Sequence, residues 1–126
     1  MAPRVSVVDD DISVRESLDS LIRSVGLTVN VFASAEEFLN SDHPCSANCL
    51  VLDVCLPGMS GIELQRHLAA RSCKLPVIFI TAHGYDKIPK SAILSDWTVA
   101  KLTKPFSEDE LLDAVHAALN WKPSAS

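Results

Sequence analysis

The chain has 126 residues, 48% of them hydrophobic and 21% charged, with a formal net charge of −5. That length suffices for one domain with its own core, and the composition is that of an ordinary soluble globular protein. The acidic balance argues against direct nucleic-acid binding, which calls for a basic face, and no apolar stretch approaches the ~20 residues of a membrane helix. Nor does a long apolar run follow Met1-Ala2-Pro3-Arg4, so no signal peptide is visible and a cytoplasmic location is expected.

Val5-Ser6-Val7-Val8 reads as a short strand, followed at once by Asp9, Asp10 and Asp11. Val14, Leu18, Leu21, Ile22 and Val25 then recur at helical spacing, with Ser13 and Glu16 as a capping box and Gly26 as the stop. Thr28 to Phe32 is the second strand, and Ser34 with Glu37 caps a short helix containing Phe38 and Leu39. A polar loop, Asn40 to Asn48, leads to Cys49-Leu50-Val51-Leu52-Asp53. That apolar run, bounded by turn residues, reads as a strand buried on both faces.

A loop with Pro57, Gly58 and Gly61 follows, and Ser60 with Glu63 caps a helix running to about Arg71, with Met59 and Leu64 as a hydrophobic staple. Val77 to Ile80 is the fourth strand, ending in Thr81. Tyr85 to Trp97 has neither a good cap nor a long stripe, and a short or irregular helix is expected there. Val99 to Leu102 is the fifth strand, and Ser107 with Glu110 boxes the last helix, with Phe106 and Leu111 as its staple. One domain takes in residues 1–121, and 122–126 read as a frayed terminus or the start of a linker. Alternating strands and helices predict a parallel sheet with helices on both faces.

Cys45, Cys49, Cys55 and Cys73 come without a secretory signal, so free thiols are expected rather than disulfides. The cluster His43, Cys45 and Cys49 lacks zinc-finger spacing and a nearby fourth ligand.

In a parallel sheet the carboxyl ends of the strands share one edge, where ligands bind. The first strand delivers Asp9 and Asp10 there, the third Asp53, the fourth Thr81 and the fifth Lys104. Taken singly, each has a plain structural reading: a loop cap, a helix-start acid, a strand threonine, a surface lysine. Together they suit phosphoryl transfer to a carboxylate. Three acids need a cation among them, Mg²⁺ accepts carboxylates plus phosphate oxygen, and a lysine and a hydroxyl are the neighbours a phosphoryl group requires.

The segments Val7-Val8-Asp9-Asp10-Asp11, Leu50 to Gly61, Pro76 to Gly84 and Lys104-Pro105-Phe106 resemble those of a response-regulator receiver domain of two-component signalling. Val31 to Leu39 makes the chain most similar to FixJ-like receivers. The resemblance implies a flavodoxin-like (βα)5 sheet of order 2-1-3-4-5, with Asp53 as phosphoacceptor. It implies Mg²⁺ on Asp9, Asp10, Asp53 and the backbone carbonyl of Cys55, with Thr81 and Lys104 on the phosphoryl group and a cis Lys104–Pro105 bond. The implied donor is a phosphohistidine on a sensor histidine kinase, and the implied output is a switched protein-interaction face with possible homodimerisation. An output domain or partner protein would lie outside this chain. Such a domain assists its own phosphotransfer and dephosphorylation but is not otherwise an enzyme.

Three residues before the lysine, receivers usually carry an aromatic, whereas this chain has Lys101. Ser95-Asp96-Trp97-Thr98 also replaces the usual small turn before the fifth strand, leaving Trp97 either as cover for the last helix or as a partner contact. These departures keep one alternative open, a pseudo-receiver that never takes phosphate. A flavodoxin-like cofactor binder would need a phosphate-binding loop where Asp9 to Asp11 stand. An aspartyl-nucleophile phosphatase would need a second acid where Cys55 stands.

Overall fold

The computed structural model describes residues 2–82 and 97–122. Five strands, β1 (Arg4–Val8), β2 (Thr28–Phe32), β3 (Cys49–Asp53), β4 (Val77–Thr81) and β5 (Thr98–Thr103), form one parallel sheet of order β2-β1-β3-β4-β5. The described α-helices are α1 (Ile12–Ser24), α2 (Ala35–Leu39), α3 (Gly61–Ala70) and α4 (Glu108–Leu119), with a 3-10 turn at Pro44–Ser46. The helix expected over Tyr85 to Trp97 falls almost wholly on residues 83–96, outside the described residues. Trp97 itself is half-buried, and its carbonyl accepts a hydrogen bond from Val77 N at 2.7 Å.

The two-residue period of a strand sorts β3 between two cores. Cys49 and Val51 pack with Val5, Val7, Ile78 and Ile80 against Leu18 and Ile22 of α1 and Leu111 and Val115 of α4. Leu50 and Leu52 pack on the other side with Val77 and Phe79 against Phe38 of α2 and Leu64 and Leu68 of α3. All five residues of β3 and of β4 are buried, which is why both read as unbroken apolar runs. Among the described residues no helix is long and apolar enough to cross a membrane.

Three of the four expected helix starts hold. Ser34, Ser60 and Ser107 each accept a hydrogen bond from the backbone N–H of the glutamate three residues on. At Ser107 the box is reciprocal, with Glu110 returning a bond to the Ser107 N–H. Ser107→Ala is expected to cost about 1 kcal/mol in chemical denaturation, and an unchanged midpoint would contradict the cap.

The fourth start is corrected. Asp11, in an extended conformation, caps α1 by accepting from Ser13 N at 2.8 Å, so Ser13 already lies inside the helix. Val25 is corrected too: it ends the helix and is 46% exposed rather than part of the stripe. Gly26 stops the chain with φ at 88°, a left-handed conformation that glycine adopts at no steric cost.

The expectation of four free thiols is also overturned. Cys45 and Cys73 form a disulfide with their Cα atoms 5.6 Å apart, while Cys49 and Cys55 remain free. The partners stand 28 residues apart in sequence. They meet because β3 and β4 pair in parallel, bringing the loops that enter those two strands side by side.

Candidate functional site

Each site residue is placed by the strand that ends at it. Asp9 follows β1, and its backbone N–H still bonds Phe32 O of β2 at 3.1 Å. The residue is 0% exposed, yet its polar atoms are engaged. Oδ1 accepts from Asp11 N at 2.8 Å, the carbonyl accepts from Arg15 Nη1 at 2.8 Å, and Oδ2 accepts from Lys104 Nζ at 2.9 Å. Asp10, next in the chain, is exposed.

Asp53 closes β3 and is 4% exposed. Its Oδ1 accepts from Cys55 N at 2.9 Å, and its Oδ2 lies 3.4 Å from Lys104 Nζ. Thr81, 2% exposed, closes β4, and its carbonyl accepts from Lys104 N at 2.7 Å. That bond anchors the lysine backbone beside β4 just beyond β5, ahead of a cis bond to Pro105. Lys104 therefore spans the two buried acids with one ammonium.

The loop between β3 and α3 brings the helix hard against the strand end. A Cβ on Gly61 would press into the carbonyl oxygen of Asp53 and come within 2.9 Å of the Val54 Cα. Neither is a flexible side chain, so the backbone itself would have to move. Gly61→Ala is expected to destabilise the fold by about 2 kcal/mol and to displace Asp53. A urea midpoint matching the parent would contradict that close approach. Gly58 takes φ of 73°, and Glu36 Oε2 of α2 receives the next amide, Met59 N, at 3.1 Å. That amide holds the Glu36 carboxyl below its usual range.

Carboxylate oxygens of Asp9, Asp10 and Asp53 all lie within 4.8 Å of one another, the one such metal-capable group among the described residues. Two of these acids, Asp9 and Asp53, share one lysine. Burial pushes the Asp53 carboxyl up, and the charge of Asp9 pushes the same way, against the Cys55 amide and Lys104. At Lys104, burial works against the ammonium, but the hydrogen bond to Asp9 and the charges of both acids outweigh it and raise its pKa. The acid site thus carries more negative charge than its own residues balance, which is the condition a hard divalent cation relieves.

The sequence-derived set Asp9, Asp10, Asp53, Thr81 and Lys104 thus gathers at one edge. Cys55 enters the site through its amide on Asp53. Two supports were not foreseen: Arg15, which pins the Asp9 carbonyl, and Glu36, which holds the loop at Met59. Both act across gaps in sequence with no local motif to announce them. The cluster of His43, Cys45 and Cys49 does not form a metal site: Cys45 is in the disulfide and Cys49 is buried in the sheet.

Comparison with known proteins matches residues 5–116 to the response regulator receiver domain. The chain is 52% identical to Nodulation protein W of Bradyrhizobium diazoefficiens over 115 residues, covering 90% of this chain and 50% of that protein. It is 45% identical to the response regulator protein TodT of Pseudomonas putida over 126 residues, covering 98% of this chain and 55% of TodT. The chain therefore spans about half the length of these relatives. Among solved structures, the response regulator StyR matches with a TM-score of 0.85 at 46% identity, over 95% of this chain and 60% of StyR. The FixJ-N crystal structure matches with a TM-score of 0.83 at 32% identity, over 99% of both chains. The order of the strands, the gathered acids and a match along most of its length agree: the chain belongs to the response regulator receiver domain family.

Proposed function

We propose that the chain is a phosphorylatable receiver, taking a phosphoryl group on Asp53 from the phosphohistidine of a sensor histidine kinase. The observation that carries this is the single ammonium of Lys104 lying 2.9 Å from Asp9 and 3.4 Å from Asp53 beside a third carboxylate. Asp9, Asp10, Asp53 and the Cys55 carbonyl would hold Mg²⁺. Bound there, it would neutralise charge on the acids and on the transferring group.

The protein's own part is positioning. The Cys55 amide holds Asp53 Oδ1, which leaves Oδ2, on the Lys104 side, as the nucleophile. An oxygen–phosphorus bond forms as the phosphorus–nitrogen bond to the donor imidazole breaks. The electron pair leaves on the ring nitrogen, which takes up a proton. Lys104 then balances phosphoryl charge, and the Thr81 hydroxyl donates to a phosphoryl oxygen. That new bond biases two arrangements of the β4–β5 edge and changes a binding face. Lys101 is exposed on β5, paired with Phe79, so the switch works without an aromatic rotamer at that place.

Residues 1–121 form the receiver unit, whose output is a further domain or a partner protein outside this chain. Several relatives of twice its span are transcriptional regulatory proteins, FixJ among them. DNA contact, where the whole protein makes it, falls to that other part, because this unit is acidic. The unit is a signalling module rather than an enzyme with a substrate of its own, and it works in the cytoplasm with its kinase.

Incubation with Mg²⁺ and acetyl phosphate, read by intact mass, is expected to add one phosphoryl group. No increment, even from a cognate kinase, would replace this reading with the pseudo-receiver. Mg²⁺ at 100 times its dissociation constant is further expected to stabilise the fold by about 2.7 kcal/mol. Asp10→Asn should lose most of that gain, and a thermal shift equal to the parent's would exclude Asp10 as a ligand.

A further inference from the structure

The disulfide lies at the opposite end of the sheet from the acids. Cys45 sits in the 3-10 turn before β3, and Cys73 sits in the loop between α3 and β4. Asp53 and Thr81 close those same two strands, so each five-residue strand separates the sulfurs from the acidic edge by roughly 16 Å. The bridge closes a ring that contains β3, the Asp53 loop and α3. It ties the polar loop entering the phosphoacceptor strand to the core, since Cys73 packs among Leu68, Leu75 and Val77.

The two half-cystines differ in access. Cys45 is exposed, which offers an incoming thiolate a sulfur to attack, while Cys73 is 8% exposed. Neither belongs to a strand, so the loops can part without breaking a ladder bond. The free thiols are differently placed: burial pushes Cys49 up to about 12, which makes it inert, and Cys55 lies on the acidic edge. Where glutathione keeps thiols reduced, disulfides are transient or redox-sensing.

We propose that Cys45 and Cys73 form a reversible thiol–disulfide switch that sets the stability of the receiver without altering phosphoryl uptake at Asp53. The oxidant is a low-molecular-weight disulfide. The Cys45 thiolate attacks one of its sulfurs and expels a thiolate. The Cys73 thiolate then attacks the Cys45 sulfur of the mixed disulfide and expels the second. Two electrons pass from the cysteines to the small disulfide, and their two protons end on the two thiols released.

The whole chain is equilibrated, natively folded, in glutathione mixtures of graded ratio, then quenched, unfolded, alkylated and weighed. Two alkylated thiols, Cys49 and Cys55, are expected at the oxidised end and four at the reduced end, with one reversible transition between them. The melting temperature should fall by about 10 °C on reduction, and Cys73→Ser should remove that redox dependence. Acetyl phosphate labelling should be equal in both forms. Four thiols throughout, or a lasting glutathione adduct on Cys45 without a bridge, would overturn the proposal. Two thiols even in reduced glutathione would make the bridge a permanent staple and overturn it equally. Redox-dependent labelling would contradict its separation from Asp53.

Discussion

Asp53→Asn is expected to abolish phosphoryl uptake and, at neutral pH, to stabilise the fold by about 1 kcal/mol. Uptake is lost with the carboxylate nucleophile, and the stability gain has an electrostatic cause. Asp53 is buried, faces Asp9 and has its pKa raised, so the folded state holds the carboxyl proton more tightly than the unfolded chain does. In the folding balance this appears as a loss of stability with rising pH. The penalty is absent below the unfolded carboxylate value, grows as pH climbs through the folded one, and is complete above it. An amide keeps the shape without the charge, so the gain of the variant should be small near pH 3 and full at pH 7. Urea denaturation at both pH values checks this. A variant less stable than the parent at pH 7 would mean that the Asp53–Lys104 pair outweighs burial and repulsion.

Lys104→Met is expected to have the largest cost, about 2–3 kcal/mol at pH 7. It leaves Asp9 Oδ2, fully buried, without its donor, and removes the ammonium that pairs with both Asp9 and Asp53. The folded pKa of Lys104 is raised, so its contribution is present below the ordinary lysine value and is lost as pH rises through the folded one. The deficit should therefore hold across neutral pH and shrink in alkali. Mg²⁺ should restore more stability to this variant than to the parent, because it supplies the missing positive charge. Thermal melts with and without Mg²⁺ give the comparison, and equal increments would mean that metal and lysine do not share the same acids. Labelling by acetyl phosphate should drop sharply, since the Lys104 ammonium no longer balances phosphoryl charge.

These effects trace back to features the sequence displays unevenly. The strands were legible because a parallel sheet covered on both faces leaves unbroken apolar runs, as in Leu50-Val51-Leu52 and Val77 to Ile80. The gathering of Asp9, Asp10, Asp53, Thr81 and Lys104 followed from the rule that parallel strands end at one edge. Local chemistry served less well where several residues competed for one role. Asp11 and Ser13 can both cap α1, and the choice of Asp11 rests on an extended backbone at that residue that no pattern announces. The Cys45–Cys73 pair, the Arg15 anchor on Asp9 and the Glu36 bond to Met59 are products of tertiary packing. The sequence shows Gly61 only as a loop glycine, but its reason is the Asp53 carbonyl that leaves no room for a Cβ.

The proposed function assigns the phosphoryl group to Asp53 alone, although Asp9 is buried beside the same lysine. The most direct test is to label the chain with acetyl phosphate and Mg²⁺, trap the acyl phosphate by borohydride reduction, and map the peptides. The expected product is homoserine at position 53 and nowhere else. Homoserine at Asp9 or Asp10, or no reduced residue in a chain that has gained phosphoryl mass, would contradict the assignment of Asp53 as phosphoacceptor.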